Sequence, residues 1–248
     1  MRERIPVVVR RRRGGWRRAL ARGMWAGAEL AVTAGVVLLL LVVHQFWWTN
    51  QQARAGAQRQ VHALEREWGA RAAVAPRPSP SGAEGGGGGD EVPPPERPPE
   101  RPPPERPAPA YAVLRVPALR LAVPVGRGVG RALLDRGYAG HYPGTAQPGQ
   151  AGNFALAGHR NTHGEPFRRI DRLRAGDAII VETRDAVFTY AVTSTLARTS
   201  PRDTAVIAPV PKGHSRPGHY VTLTTCTPEY SSAYRLIVWG ELRAARPR

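Results

Sequence analysis

The chain has 248 residues, a single cysteine and a formal net charge of +17 at pH 7. One cysteine excludes an intrachain disulfide framework, and the length allows one sizeable domain with appendages or two small ones. The charge raises nucleic-acid binding, yet its distribution argues against it: nine arginines and one glutamate crowd residues 1–25, directly before an apolar run. From residue 111 onward the basic residues are scattered, without aromatic interleaving or a recognition helix. Attraction to an anionic envelope of acidic headgroups and wall polymers accounts for them, so no nucleic acid is expected as a partner.

Residues 1–25 read as a basic cytoplasmic tail, carrying the run Arg10–Arg13 with Arg17, Arg18 and Arg22. The stretch Leu30–Trp48, LAVTAGVVLLLLVVHQFWW, is about long enough to cross a ~30 Å hydrocarbon core at 1.5 Å per residue. Trp25 before it and Trp47 and Trp48 at its end fit interfacial aromatic belts. Residues 26–49 are therefore expected to be a transmembrane signal anchor. The arginine cluster keeps the N-terminus cytoplasmic and everything after about residue 50 outside, by the positive-inside rule. Ala53-Arg54-Ala55 and Ala55-Gly56-Ala57 resemble signal-peptidase sites, but a signal h-region runs only ~7–15 residues, and the flanking tryptophans favour an uncleaved, single-pass anchor in the plasma membrane.

Residues 50–110 are expected to be an extracytoplasmic stalk and linker. Residues 51–72 are rich in Ala, Gln and Arg, and continue the membrane helix as a short stalk. Residues 75–110 hold Gly85–Gly89 and the repeat PPPERPPERPPPERP over 93–107. Such a segment has too little apolar content to offset its ordering entropy; it is read as a disordered Pro/Gly-rich linker, with polyproline II stiffness in its Pro-rich half.

A globular pattern begins at Tyr111. AVLRVP and LAVPV are short β-rich runs ending at Pro117 and broken by Pro124, and Arg131–Gly137 reads as a short helix. The loop HYPGTAQPGQAG leads to an apolar strand, Phe154–Ala157, that stops just before His159. Pro166–Leu173 carries apolar residues at helical spacing, closed by Gly176. AIIVET, VFTYAVTSTLA, YVTLTTC and RLIVWGEL are four strand candidates rich in Val, Ile, Thr and Tyr. Short strands, Gly/Pro turns and no long helix indicate a mainly β closed barrel or sandwich over residues 111–248.

The lone cysteine, Cys226, ends the strand Tyr220–Thr225 and precedes the turn Thr227-Pro228-Glu229. A buried structural cysteine would fit better inside an apolar run such as Leu236–Trp239; at a strand end among threonines, a reactive thiol is the better reading. A thiol with pKa near 8.5 needs a neighbouring base or cation to act as a nucleophile. Arg235 opens the next strand nine residues on, and a hairpin sets guanidinium beside sulfur. For the base, residue chemistry alone leaves His159 in competition with His141, His163 and His219. His159 and His163 stand at i, i+4, but Gly164 and Pro166 indicate a loop and no HExxH pattern follows; no metal and no cofactor is expected. Glu165, Asp171 and Asp177 lack the spacing of a calcium loop.

Three blocks resemble the sortase family. FALAGHRNTHGEPFRRIDRLRAGD at 154–177 is similar to the segment around the sortase histidine, and TLTTCTPEYSSAYRLIVWGEL at 222–242 to the TLxTC strand followed by the arginine. HYPGTAQPGQAGN at 141–153 is similar to the loop before the histidine strand in class D and E members. The TPEYSSAYRLIVWG wording resembles class E sortases of high-GC Gram-positive actinobacteria. The resemblance implies an eight-stranded sortase-type β-barrel with short helices. It implies a cysteine transpeptidase with Cys226 as nucleophile, His159 for proton transfer, Arg235 for carbonyl stabilisation and Thr225 lining the substrate groove. The implied reaction cleaves a C-terminal LAxTG- or LPxTG-type sorting signal between Thr and Gly through a thioacyl enzyme. The secreted protein bearing that signal is then handed to a peptidoglycan amine. An L,D-transpeptidase would place His-Gly shortly before the cysteine and Arg two residues after it, which this chain does not. A papain-like order, cysteine upstream of histidine, is also absent. A purely scaffolding wall protein would have no reason to carry all three groups.

Overall fold

A computed structural model describes residues 15–73 and 110–248, and the chain divides into two compact units, residues 1–48 and 49–248. The basic tail up to residue 14 and the Pro/Gly-rich stretch 74–109 lie outside the described residues. In the first unit the helix α1 (Gly15–Ala73) begins. Leu30, Val32, Leu38, Leu39, Leu40 and their apolar neighbours there are open to the surroundings. That is unfavourable in water and favourable in hydrocarbon. Among the described residues, this one helix is long and apolar enough to cross a membrane.

The second unit is built on eight strands: β1 (Ala112–Val116), β2 (Leu121–Arg127), β3 (Ala139–His141), β4 (Gly152–Ala157), β5 (Ala178–Thr183), β6 (Ala186–Thr199), β7 (His219–Thr227) and β8 (Tyr234–Pro247). They close into a barrel in the order β1-β2-β3-β4-β7-β8-β6-β5. Most neighbours are antiparallel, but β2–β3 and β4–β7 are parallel. Closure leaves no unpaired sheet edge. The interior is filled by Leu114, Val116, Phe154, Leu156, Ile179, Val181, Tyr190, Val221, Leu223 and Val238, with Phe167 and Ile170 capping it from the β4–β5 connection. The strands expected from alternation and β-branching are present. β3 was not expected: Ala139-Gly140-His141 has no alternating pattern, and it is a strand because β2 and β4 pair with it on either side. A four-residue helix, α2 (Arg131–Leu134), stands between β2 and β3.

The last part of α1 continues the membrane helix, as the reading of 51–72 as a short stalk expected, and it also packs on this barrel, which that reading did not include. Strand β1 alternates, so Ala112, Leu114 and Val116 point inward, while Val113 faces outward yet is fully buried. Its cover is a second cluster of Ala57, Val61, Leu64 and Trp68 from α1 with Ala110, Leu133 and Tyr138. The four helix positions are spaced i, i+4, i+7 and i+11, one apolar stripe on an otherwise polar helix. Charged groups tie its margins: Glu65 pairs with Arg115, which also bonds Glu182 at 2.8 Å. The Arg248 guanidinium lies 4.6 Å over the Trp68 ring. Burial alone would raise the Glu65 carboxyl, but the hydrogen bond with His62 and then the Arg115 charge outweigh it and hold it below the usual carboxylate range.

Burying each large side chain of such a cluster stabilises by about 1.5–3 kcal/mol. Val61→Asp puts an unpaired carboxylate into this dry patch. It is expected to detach the helix from the barrel and lower Tm by several degrees in the detergent-solubilised full chain, measured by calorimetry. An unchanged Tm would mean the helix is not docked in solution.

Candidate active site

Strand β7 is buried from Tyr220 to Thr225 and comes out of the core at Cys226 and Thr227. Cys226 is a free thiol of intermediate exposure. On the antiparallel partner β8 the residue directly opposite it is Arg235, and Leu236 opposite Thr225 is already in the core. Sulfur and guanidinium are thus borne by a facing pair at the barrel rim. Directly opposed strand residues have Cβ atoms about 4.5–5.5 Å apart. Arg235 uses Nη1 to donate to the carbonyls of Ser232 and Tyr234, at 2.9 and 3.0 Å, so the β7–β8 loop supports its head.

The other neighbour of β7 is β4, parallel to it, with Ala157 paired to Thr224. The pairing continues past the strand: the Gly158 N–H donates to the Thr224 carbonyl at 3.1 Å. The Thr225 hydroxyl donates to the Gly158 carbonyl at 2.8 Å. Gly158 is thereby tied to Thr224 and Thr225, the residues just before Cys226, and His159 follows it directly. Thr225, expected to line the groove, is only 2% exposed; its hydroxyl is spent on the main chain that leads into His159.

Two residues that the sequence did not mark, Asp135 and Arg160, and one that it offered as a rival base, His163, lie around this point. Asp135, the residue that ends α2, accepts from His159 Nε2 at 2.8 Å through Oδ1. His163 stands beside them, its ring centroid 5.1 Å from that of His159 and its Nδ1 3.6 Å from the same carboxylate oxygen. Arg160 is buried, donating to the Cys226 carbonyl at 3.4 Å, to Thr227 Oγ1 at 2.9 Å and to Asp171 at 3.3 Å. It fastens the residue after His159 to the residue that bears the thiol. No local pattern reveals Asp135, 24 residues before the histidine; Arg160 could have been suspected as the basic residue adjoining it. The docked helix reaches the same loop: Asn50 Oδ1 accepts from the Gly164 N–H at 2.5 Å, and Arg54 bonds the Gly164 carbonyl and Glu165.

The remaining histidines separate from this group. His141 is buried, with Nδ1 2.7 Å from the Tyr111 hydroxyl and Nε2 3.1 Å from the Ala146 carbonyl. Burial, helped by the Arg127 charge, pushes its imidazole below the usual value, which suits a neutral structural ring. His219 sits at the opposite end of β7, with its Nδ1 2.9 Å from the Gly149 carbonyl. Of the four histidines that residue chemistry left open, His159 and His163 share one loop beside Asp135, while His141 and His219 are bonded elsewhere.

Comparison with known proteins agrees with this architecture. The Sortase domain family matches residues 114–243. The chain is 43% identical to Sortase SrtE1 of Streptomyces coelicolor over 228 residues, covering 89% of this chain and 57% of SrtE1. It is 35% identical to Sortase SrtE2 of the same organism over 240 residues, covering 94% and 86%. It therefore spans little more than half the length of SrtE1. The crystal structure of S. coelicolor Sortase E1 with a tripeptide in the active site superposes with a TM-score of 0.55 at 52% identity, covering 56% of this chain and 91% of that one. The family match, the identity along nearly all of SrtE2 and the closed eight-stranded barrel converge: the chain belongs to the sortase family of cysteine transpeptidases, and its likeness runs to the class E branch.

Proposed function

We propose that this chain cleaves a C-terminal LAxTG- or LPxTG-type sorting signal between Thr and Gly and transfers the secreted protein to a peptidoglycan amine. The observation that carries this reading is the rim of the barrel, where Cys226 leaves the core opposite Arg235 and next to the strand that delivers His159. The Cys226 thiol passes its proton to His159 as the sulfur attacks the threonine carbonyl, and the Arg235 guanidinium donates to the oxygen on which charge develops. Collapse of the tetrahedral species expels the glycine amine, which takes its proton from His159 and leaves a thioester. The incoming wall amine loses a proton to His159 as it attacks that thioester, and the thiol is restored. Thr225 serves the groove through its main chain and by fixing Gly158 rather than through its occupied hydroxyl.

The detergent-solubilised full chain is expected to cleave a fluorogenic LAxTG-type peptide and, with an added amine acceptor, to form the transfer product. Absence of turnover on both LAxTG and LPxTG peptides would contradict the reading. Asp135 is a positioning residue, since its carboxylate holds the His159 ring. Asp135→Asn is expected to lower kcat about tenfold or more with KM little changed, and Asp135→Glu to restore part of it. Equal losses in kcat, KM and Tm would make Asp135 merely structural.

The anchor reading belongs to the same proposal: residues 1–25 cytoplasmic, 26–49 spanning the plasma membrane, and the barrel outside, where sorting signals and wall amines are found. The protein is expected to sediment with membranes, and its barrel to be digested by protease added to cells stripped of wall. A mature soluble form starting near Ala57 would instead mean the anchor is removed.

A further inference from the structure

We propose that Asp135, His159 and His163 form a binding site for a zinc-type divalent cation, and that the occupied site switches the enzyme off. The switching rests on the reading of His159 as the proton-transfer group; the binding does not. One carboxylate oxygen and one nitrogen of each imidazole lie within 4.8 Å of one another. Asp135 Oδ1 is 2.8 Å from His159 Nε2 and 3.6 Å from His163 Nδ1. Donors on a tetrahedral zinc with bonds of 2.0–2.1 Å stand about 3.3 Å apart, a value between those two separations. Small movements of rings that already face one carboxylate oxygen would therefore complete three corners of the tetrahedron.

A second observation points the same way. His163 Nδ1 is buried as an atom and has no hydrogen-bond partner, since 3.6 Å to Asp135 is too long for one. A buried nitrogen without a partner costs free energy, and coordination would use it. The three side chains remain 26–40% exposed, so an ion can enter and a fourth position stays open to water. Two imidazoles and a carboxylate suit zinc and its first-row neighbours, whereas calcium and magnesium prefer oxygen ligands throughout. The rejected helical i, i+4 reading plays no part: the histidines meet in a loop, and the third donor comes from the end of α2.

The supports are backbone hydrogen bonds. Phe167 N–H donates to the His159 carbonyl at 3.0 Å, Glu165 N–H to Thr162 at 2.9 Å, and Asp135 N–H to Arg131 at 2.8 Å. A metal on His159 Nε2 takes the place of the proton that this nitrogen donates to Asp135, so the neutral ring carries its proton on Nδ1 and has no lone pair left to accept the proton of the incoming amine. It also draws Asp135 away from its positioning role. Inhibition then arises with the Cys226 thiol untouched, which separates this site from direct capture of the nucleophile.

The test uses tag-free full chain in detergent, with Zn²⁺ binding read by competition against a chromogenic chelator and Co²⁺ by its tetrahedral absorption bands. The wild type and Cys226→Ala are expected to bind one equivalent alike. His163→Asn, chosen because asparagine tolerates the positive φ of 52° at that position, is expected to bind at least about tenfold more weakly. Its own peptide cleavage rate in EDTA serves as its reference, and relative to that rate it should resist Zn²⁺ inhibition by the same factor. Zn²⁺ affinity unchanged in His163→Asn, or binding lost in Cys226→Ala, would overturn the site. Stoichiometric binding lost in His163→Asn alongside an inactive wild type would uphold the site and remove the reading of the reaction.

Discussion

Cys226→Ala is expected to abolish covalent capture of a sorting peptide and to lower cleavage by at least ~10³-fold, the scale on which loss of a nucleophile is felt. The fold should not register the change. Cys226 is half-buried at the place where β7 leaves the core, the chain continues as Thr227 and Pro228, and the barrel interior ends at Thr225 and Leu236. Trimming one sulfur at such a rim is worth well under ~1 kcal/mol in stability. Circular dichroism and Tm of the variant should therefore match the wild type while peptide turnover disappears. Cleavage persisting at a comparable rate would mean the reaction runs through water without a thioester, and the barrel would then be hydrolysing by other groups.

Arg235→Lys is the second large expected effect: about a 10²-fold fall in kcat, with KM and Tm changed far less. A single donor removed from an oxyanion site costs on the order of 10²–10³ in rate. Lysine keeps the charge but loses the planar fork, so it cannot hold two donors in fixed directions. Arg235 Nη1 is engaged by the carbonyls of Ser232 and Tyr234. Such bonds fix the guanidinium through Nη1 alone and leave its other donors unspent among these contacts, on the residue paired with Cys226 across the strands. Because those contacts are to a surface loop, their loss destabilises by a few tenths of a kcal/mol to about 1 kcal/mol. A fall in kcat accompanied by an equal loss of Tm would assign Arg235 to the architecture of the hairpin.

How far these features could be read from the residues varies with the physics behind them. Strand β7 announces itself through Tyr220, Val221 and the threonines, residues that fit a pleated, half-buried surface. The hairpin to β8 follows from spacing alone, and with it the pairing of Cys226 with Arg235. β3 carries no such signal because Gly140 and His141 take their conformation from β2 and β4. The docked end of α1 was visible as the stripe Ala57, Val61, Leu64 and Trp68, but the surrounding Gln and Arg residues obscured it. Its meaning lies in Val113, an outward-facing residue that needs a cover. Asp135 could not be assigned, since its partner His159 lies 24 residues on with no local pattern between them; Arg160 could be suspected only from its place beside His159, its contacts with Cys226 and Thr227 being set by the parallel β4–β7 pairing. Cys226, His159 and Arg235 are marked by type and position in the sequence, whereas Asp135 is marked only by the fold.

The docked helix also changes what a truncation would do. A barrel starting at residue 111 lacks Asn50 and Arg54, which hold Gly164 and Glu165 in the loop that carries His159 and His163. It also exposes Val113, Leu133 and Tyr138.

Intact-protein mass spectrometry of the full chain mixed with a sorting peptide at pH 7 tests the account most directly. It predicts an adduct equal to the peptide up to its threonine, lost on adding hydroxylamine and mapped to Cys226. The adduct should be absent in Cys226→Ala and formed much more slowly in His159→Ala and Arg235→Lys. A wild-type protein that never carries the adduct, or an adduct that forms at full rate without His159 or with Arg235 replaced, would contradict it.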